Sequence, residues 1–216
     1  MAKTTVAVID YGMGNLHSVA SALENVNQQV DVIVTADAQK IRNADRVIFP
    51  GVGAIGECLT EIRRLGIDEI VSEAARNKPL LAICVGMQAL MDFSEESGGV
   101  ECLGMFPGKV LRFAHSLADE HGSKLKVPHM GWNQVKQHIA HPLWQGIKQN
   151  SRFYFVHSYY VQTQNSSLIA ASTDYGLPIH AALHHDNVFA VQFHPEKSSV
   201  DGLTLLSNFL KWNGQS

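Results

Sequence analysis

The chain has 216 residues, 45% of them hydrophobic, and a formal net charge of −3. That length can bury a full core as one domain, taken as residues 1–216, and a mildly acidic chain without a Lys/Arg cluster offers no footprint for nucleic acid. No run approaches the roughly 18 apolar residues of a membrane span, the start MAKTTVAVID lacks a signal-type apolar region, and three cysteines without a CxxC argue against a disulfide framework, so a cytoplasmic protein away from membranes is expected.

Thr4 to Ile9 reads as a β-branched strand, and the Gly-rich DYGMGN turns it into a helix with the apolar stripe Leu16, Val19, Ala20 and Leu23. Val30 to Val34 and Arg46 to Phe49 are the next strands, the second ending at PGVG. Ile55 to Arg76 reads as helix broken near Gly66. Leu80 to Ile83 is a fourth strand, with a helix starting about Gly86. Strands alternating with helices predict an α/β fold, an open, mainly parallel sheet with helices on both faces. Beyond Gly98 the texture changes. GKVLRF, NQVKQ, RFYFVHSYYV, LIAAST, PIHAALHH and NVFAVQF predict short strands that extend the sheet in antiparallel fashion, closed by a helix from about Val200 to Trp212. The polar stretch Ala114 to Lys126, around His115, is the expected mobile loop.

Ligands of open α/β sheets bind at the carboxyl ends of strands, and Cys84 stands where the fourth strand should end. Ala82 and Gly86, two residues to either side, leave room for a sharp strand-to-helix turn and for an approaching carbonyl. The helix start behind Cys84 favours a thiolate, and its free N–H groups can bind an oxyanion. The alternative is a core cysteine that happens to end a strand. A cysteine nucleophile needs a base held by a third group. His194, in FAVQFHPEKSS, ends a strand; Pro195 biases it to extended backbone, and Glu196 is two residues on, where side chains of extended chain point the same way. HPE alone could equally be a surface loop. In FPGVG, residues 49–53, Gly51 would let the backbone aim the Val52 N–H at an oxyanion. Cys58 and Cys102 read as packing residues. His184 and His185 lack further ligands at compatible spacing, so no metal is expected.

PGVG, C-x-G-M-Q and FHPEKS together resemble the class I (triad) glutamine amidotransferases. DYGMGN, VPHMGWN (127–133) and YFVHSYY (154–160) narrow the likeness to the branch serving histidine biosynthesis, over about Val6 to Phe209. The resemblance implies hydrolysis of glutamine through a γ-glutamyl thioester on Cys84, with His194 as acid and base and Glu196 as its orienter. It implies oxyanion donors at Val52 and Val85, and substrate contacts at Gly53, Gln88, Glu96, Ser158 and Tyr159. No cofactor is implied. A partner is: a (β/α)8-barrel cyclase subunit that takes the ammonia within a heterodimer, touching Met13, Asn15, His129, Trp132 and Lys197. GMGN is only half of a G-x-G-x-x-G, so this chain is not expected to hold a phosphorylated co-substrate itself. Family members commonly carry glycine where this chain has Ala82, which would strain the turn if a positive φ were needed there. A subunit for another amidotransferase pathway and a catalytically silent regulatory module are the competing readings.

Overall fold

The computed structural model describes residues 3–114, 116–119 and 121–215; His115, within the expected mobile loop, lies outside the described residues. The first half alternates strand and helix: β1 (Thr4–Ile9), α1 (Leu16–Val26), β2 (Val30–Thr35), α2 (Ala38–Asn43), β3 (Arg46–Gly51), α3 (Ile55–Arg64), α4 (Ile67–Asn77), β4 (Leu80–Cys84) and α5 (Val85–Ala89), with the short α2 additional to the pattern the sequence predicts. Gly66 separates α3 from α4 in the left-handed conformation (φ 66°), open to a residue without a Cβ. The helix after Cys84 is only five residues long. MDFS, which continues its apolar run, instead forms β5 (Met91–Ser94) beside a later strand.

The second half supplies β6 (Val100–Glu101), β7 (Phe106–Arg112), β8 (His129–Gln134), β9 (Lys136–Gln137), β10 (Arg152–His157), β11 (Tyr159–Gln162), β12 (Ile169–Asp174), β13 (Pro178–His185), β14 (Val188–Val191) and α6 (Ser199–Lys211). The main sheet has eight strands in the order β2-β1-β3-β4-β14-β13-β12-β9. The pairs from β2 to β14 are parallel and those from β14 to β9 antiparallel. Only part of the antiparallel texture therefore extends this sheet. β10 pairs with β8, and β11-β7-β5-β6 form a third sheet.

Every residue of β4 is buried. An unbroken apolar run is what a central parallel strand requires, since both of its faces are covered, and each fully buried Leu or Ile contributes roughly 1.5–3 kcal/mol. The helices cover the sheet in two groups, α1 against α6, and α4 against α2 and α3. One hydrophobic core runs from Val6 to Trp212. A smaller one joins Phe113, Leu117 and Ile179, with Leu125 packed against it, so the described part of the polar stretch is tied down, with the Asp119 N–H donating to the Ser123 carbonyl. Among the described residues no helix is long and apolar enough to cross a membrane.

Candidate active site

Register brings three strand ends together. In the parallel pairing of β3 with β4, Gly51 lies opposite Cys84, and on the other side of β4, Val191 lies opposite Ile83, which leaves the chain three residues from His194. Cys84 is buried and has φ 55° and ψ −110°, a strained backbone for a residue with a Cβ. Such a conformation costs of order 1–3 kcal/mol and persists where the surroundings enforce it. Ala82 carries none of this strain; it sits inside β4, paired with Phe49 and Ala190. The glycines explain how the turn is enforced. A Cβ on Gly86 would run into the Phe49 carbonyl, and a Cβ on Gly51 would lie 2.5 Å from Tyr11 Oη and 2.9 Å from the Gly86 nitrogen. Gly51 is thus required for close backbone approach, not for a left-handed φ. The residue of PGVG with positive φ is Gly53, at 95°.

His194 is extended (φ −102°, ψ 98°), as the following proline dictates. Its Nδ1 lies 2.8 Å from Glu196 Oε1, with both side chains buried. Glu196 reaches the ring by a short 3-10 turn over Pro195–Lys197 and not along an extended strand. The turn is buttressed: Ser198 Oγ donates to the His194 carbonyl at 2.6 Å and accepts from the Tyr154 N–H at 3.0 Å, while the His194 N–H donates to the Tyr154 carbonyl. Burial, the strongest influence on His194, disfavours the imidazolium; the nearby Cys84 sulfur and the hydrogen-bonded Glu196 carboxylate outweigh it and push the pKa up to about 10. Cys84 is near enough to exert this pull, although no well-aligned hydrogen bond joins its sulfur to Nε2, which is buried without a partner among the described residues.

A cavity of about 460 Å³ opens over these groups. Cys84, His194, Val52, Val85, Gly53, Gln88, Glu96, Ser158, Tyr159, Asn15 and Lys197 line it. Glu196 stands behind His194. Glu96 already accepts the Ile55 N–H at the start of α3 through Oε2, a favourable place for a carboxylate. Met13 packs beside Gly53. Trp132 is exposed. His129 does not fit the expectation of a partner contact: it is 2% exposed, stacked on Phe155 and Tyr175, and hydrogen-bonded to His157 at 2.9 Å. β8 alternates faces, and His129 is on the inner one. A larger, open depression of about 670 Å³ lies at the opposite end of β4 and β14, around Arg76, His185 and Asn187, away from all of this chemistry. Among the described residues no group of His, Cys, Asp or Glu is suited to hold a metal.

His157 and Gln192 lie inside the motifs YFVHSYY and FAVQFHPEKSS, which give neither of them a role. His157 lines the cavity. Gln192 is fully buried with its Nε2 3.7 Å from Cys84 Sγ; its place two residues before His194 at a strand end is the signal that could have found it.

A strand-end thiol, a histidine–carboxylate pair and this sheet order define a class I glutamine amidotransferase, and the chain belongs to that family, whose pattern matches residues 7–212. The chain is 59% identical over 211 residues to imidazole glycerol phosphate synthase subunit HisH of Pseudomonas syringae pv. syringae, covering 98% of this chain and 99% of the relative. It is 58% identical over 213 residues to the subunit of the same name from Nitrosococcus oceani, covering 99% and 100%. Among solved structures, PurLQS from Thermotoga maritima superposes with a TM-score of 0.72 at 18% identity, covering 97% of this chain and 98% of that one, which bears on the fold alone.

Proposed function

We propose that this chain is the glutaminase subunit of imidazole glycerol phosphate synthase in histidine biosynthesis, working as one amidotransferase domain. The observation that carries this reading is the convergence of a strained strand-end thiol and a buried imidazole–carboxylate pair on one cavity, in a chain 59% identical to a HisH subunit. Glutamine sits with its ammonium toward Glu96 and its amide carbonyl toward the N–H groups of Val52 and Val85, among Gly53, Gln88, Ser158 and Tyr159. The Cys84 thiolate attacks the amide carbon. As the C–N bond breaks, the His194 imidazolium gives its proton to the nitrogen, which leaves as ammonia. The neutral imidazole then takes a proton from water, whose oxygen attacks the thioester, and collapse releases glutamate and returns the thiolate. Glu196 holds the ring through Nδ1. No cofactor enters.

The ammonia passes to a partner subunit, a (β/α)8-barrel cyclase docked over the cavity mouth as a heterodimer. Asn15 and Lys197 line the cavity, and Met13 packs beside Gly53 in its wall. Of the large hydrophobics left exposed among the described residues, Val127, Met130 and Trp132 lie within four residues along the chain of Pro128, itself a cavity wall. The test is a glutamine-mimicking electrophile applied to the partnered protein, followed by peptide mass analysis. A single adduct on Cys84 is expected; label on Cys58 or Cys102 with Cys84 untouched would refute the assignment.

A further inference from the structure

Nothing in the triad chemistry uses Gln192, yet it is buried completely and touches the sulfur. Its orientation follows from a single backbone group. The Tyr159 carbonyl can only accept, so Gln88, 3.1 Å away, must present Nε2 to it. The second N–H on that nitrogen then donates to Gln192 at 3.0 Å, which makes the atom of Gln192 on that side its oxygen. The amide N–H₂ of Gln192 is left facing Cys84 Sγ. The backbone is fixed as well, the Gln192 N–H donating to the Ala181 carbonyl at 2.9 Å. The same Tyr159 carbonyl accepts from His157 Nδ1 at 2.7 Å, so His157 Nε2 must accept from His129 Nδ1. Flipping the Gln88 amide would set its oxygen against the Tyr159 carbonyl, and flipping Gln192 alone would set its N–H₂ against that of Gln88, so the two amides hold each other's orientation.

We propose that Gln192 is a positioning residue of the active site: its side-chain amide, oriented through Gln88 by the Tyr159 carbonyl, donates a hydrogen bond that stabilises the Cys84 sulfur as thiolate. This rests on the reading of Cys84 as the nucleophile. An amide donor favours the anion over the thiol, because the thiol offers only a weak acceptor, while a sulfur anion accepts strongly. Gln192 approaches Cys84 from β14, the strand that also carries the chain to His194, so one strand end would supply both a neutral donor and the base.

The test is the pH dependence of Cys84 alkylation by iodoacetamide in the full chain, with the site of reaction identified by peptide mass. Burial pushes the Cys58 and Cys102 thiols up to about 11 and about 12, so neither competes near neutral pH. Gln192→Met removes the donor at similar volume. Gln192→Glu keeps an oxygen for Gln88 to bond and turns a second oxygen on the sulfur, which guards against a variant that simply fails to fold. Both are expected to move the midpoint of the alkylation profile upward by about one to two pH units, with about tenfold to hundredfold slower labelling below the midpoint. An unmoved midpoint in the folded variants, with Cys84 still the labelled residue, overturns the proposal. If Cys84 in the unaltered protein reacts no faster than Cys58 and Cys102, the nucleophile assignment itself fails, and this inference with it.

Discussion

Gly51→Ala tests whether the site depends on backbone contact between β3 and the turn at Cys84. The added Cβ would lie 2.5 Å from Tyr11 Oη, 2.9 Å from the Gly86 nitrogen and 3.0 Å from Val85 Cβ. Carbon contacts relax only near 3.5 Å, so β3 and the start of α5 must separate by about half an ångström or more. Tyr11 cannot swing away freely, because its hydroxyl donates to the Pro50 carbonyl at 2.9 Å and the ring is buried. Overpacking of this kind costs about 1–3 kcal/mol, a Tm loss of very roughly 2–12 °C for a chain of this size. The separation also moves apart the N–H groups of Val52 and Val85, the proposed oxyanion donors. Losing one oxyanion donor lowers kcat by about 10²–10³-fold. Glutaminase assays with the partner present, together with thermal melts, read both effects. A variant with kcat within threefold of the unaltered protein and an unchanged Tm would refute the argument that close approach is why glycine stands at 51.

Acid should unfold the protein earlier than its carboxylates alone require. Burial pushes His129 down to about 4, and burial with neighbouring imidazoles pushes His141 and His157 down to about 3, from an ordinary 6.5. The unfolded chain therefore binds more protons than the folded one between pH 6.5 and about 3–4, and stability falls as pH drops through that window. Each histidine costs about 2 kcal/mol at pH 5; denaturant titrations at pH 7 and pH 5 should show the loss, and equal midpoints would contradict it. Glu96→Ala should raise the KM for glutamine about tenfold to hundredfold through loss of a charged hydrogen bond. It should also lower stability by about 1 kcal/mol, because the Ile55 N–H loses its acceptor. An unchanged KM would remove Glu96 from substrate recognition.

The sequence by itself determined the alternation that builds the parallel sheet, the fully apolar β4, the break at Gly66 and the motifs of the site. These are local signals: a strand that must be buried on both faces has no polar residue to hide, and a proline after His194 leaves it one backbone region. The tertiary structure decided what depends on neighbours distant in the chain. Gly51 is glycine because Tyr11 and Gly86 arrive from other elements, and His129 is buried because β10 and Tyr175 cover the face of β8 that carries it. MDFS became a strand because β7 offered a partner. Gln192 faces the sulfur because a carbonyl at Tyr159 orients Gln88. No periodicity encodes such meetings, since hydrogen-bond and packing partners contributed by remote segments leave no mark on the local spacing of residues.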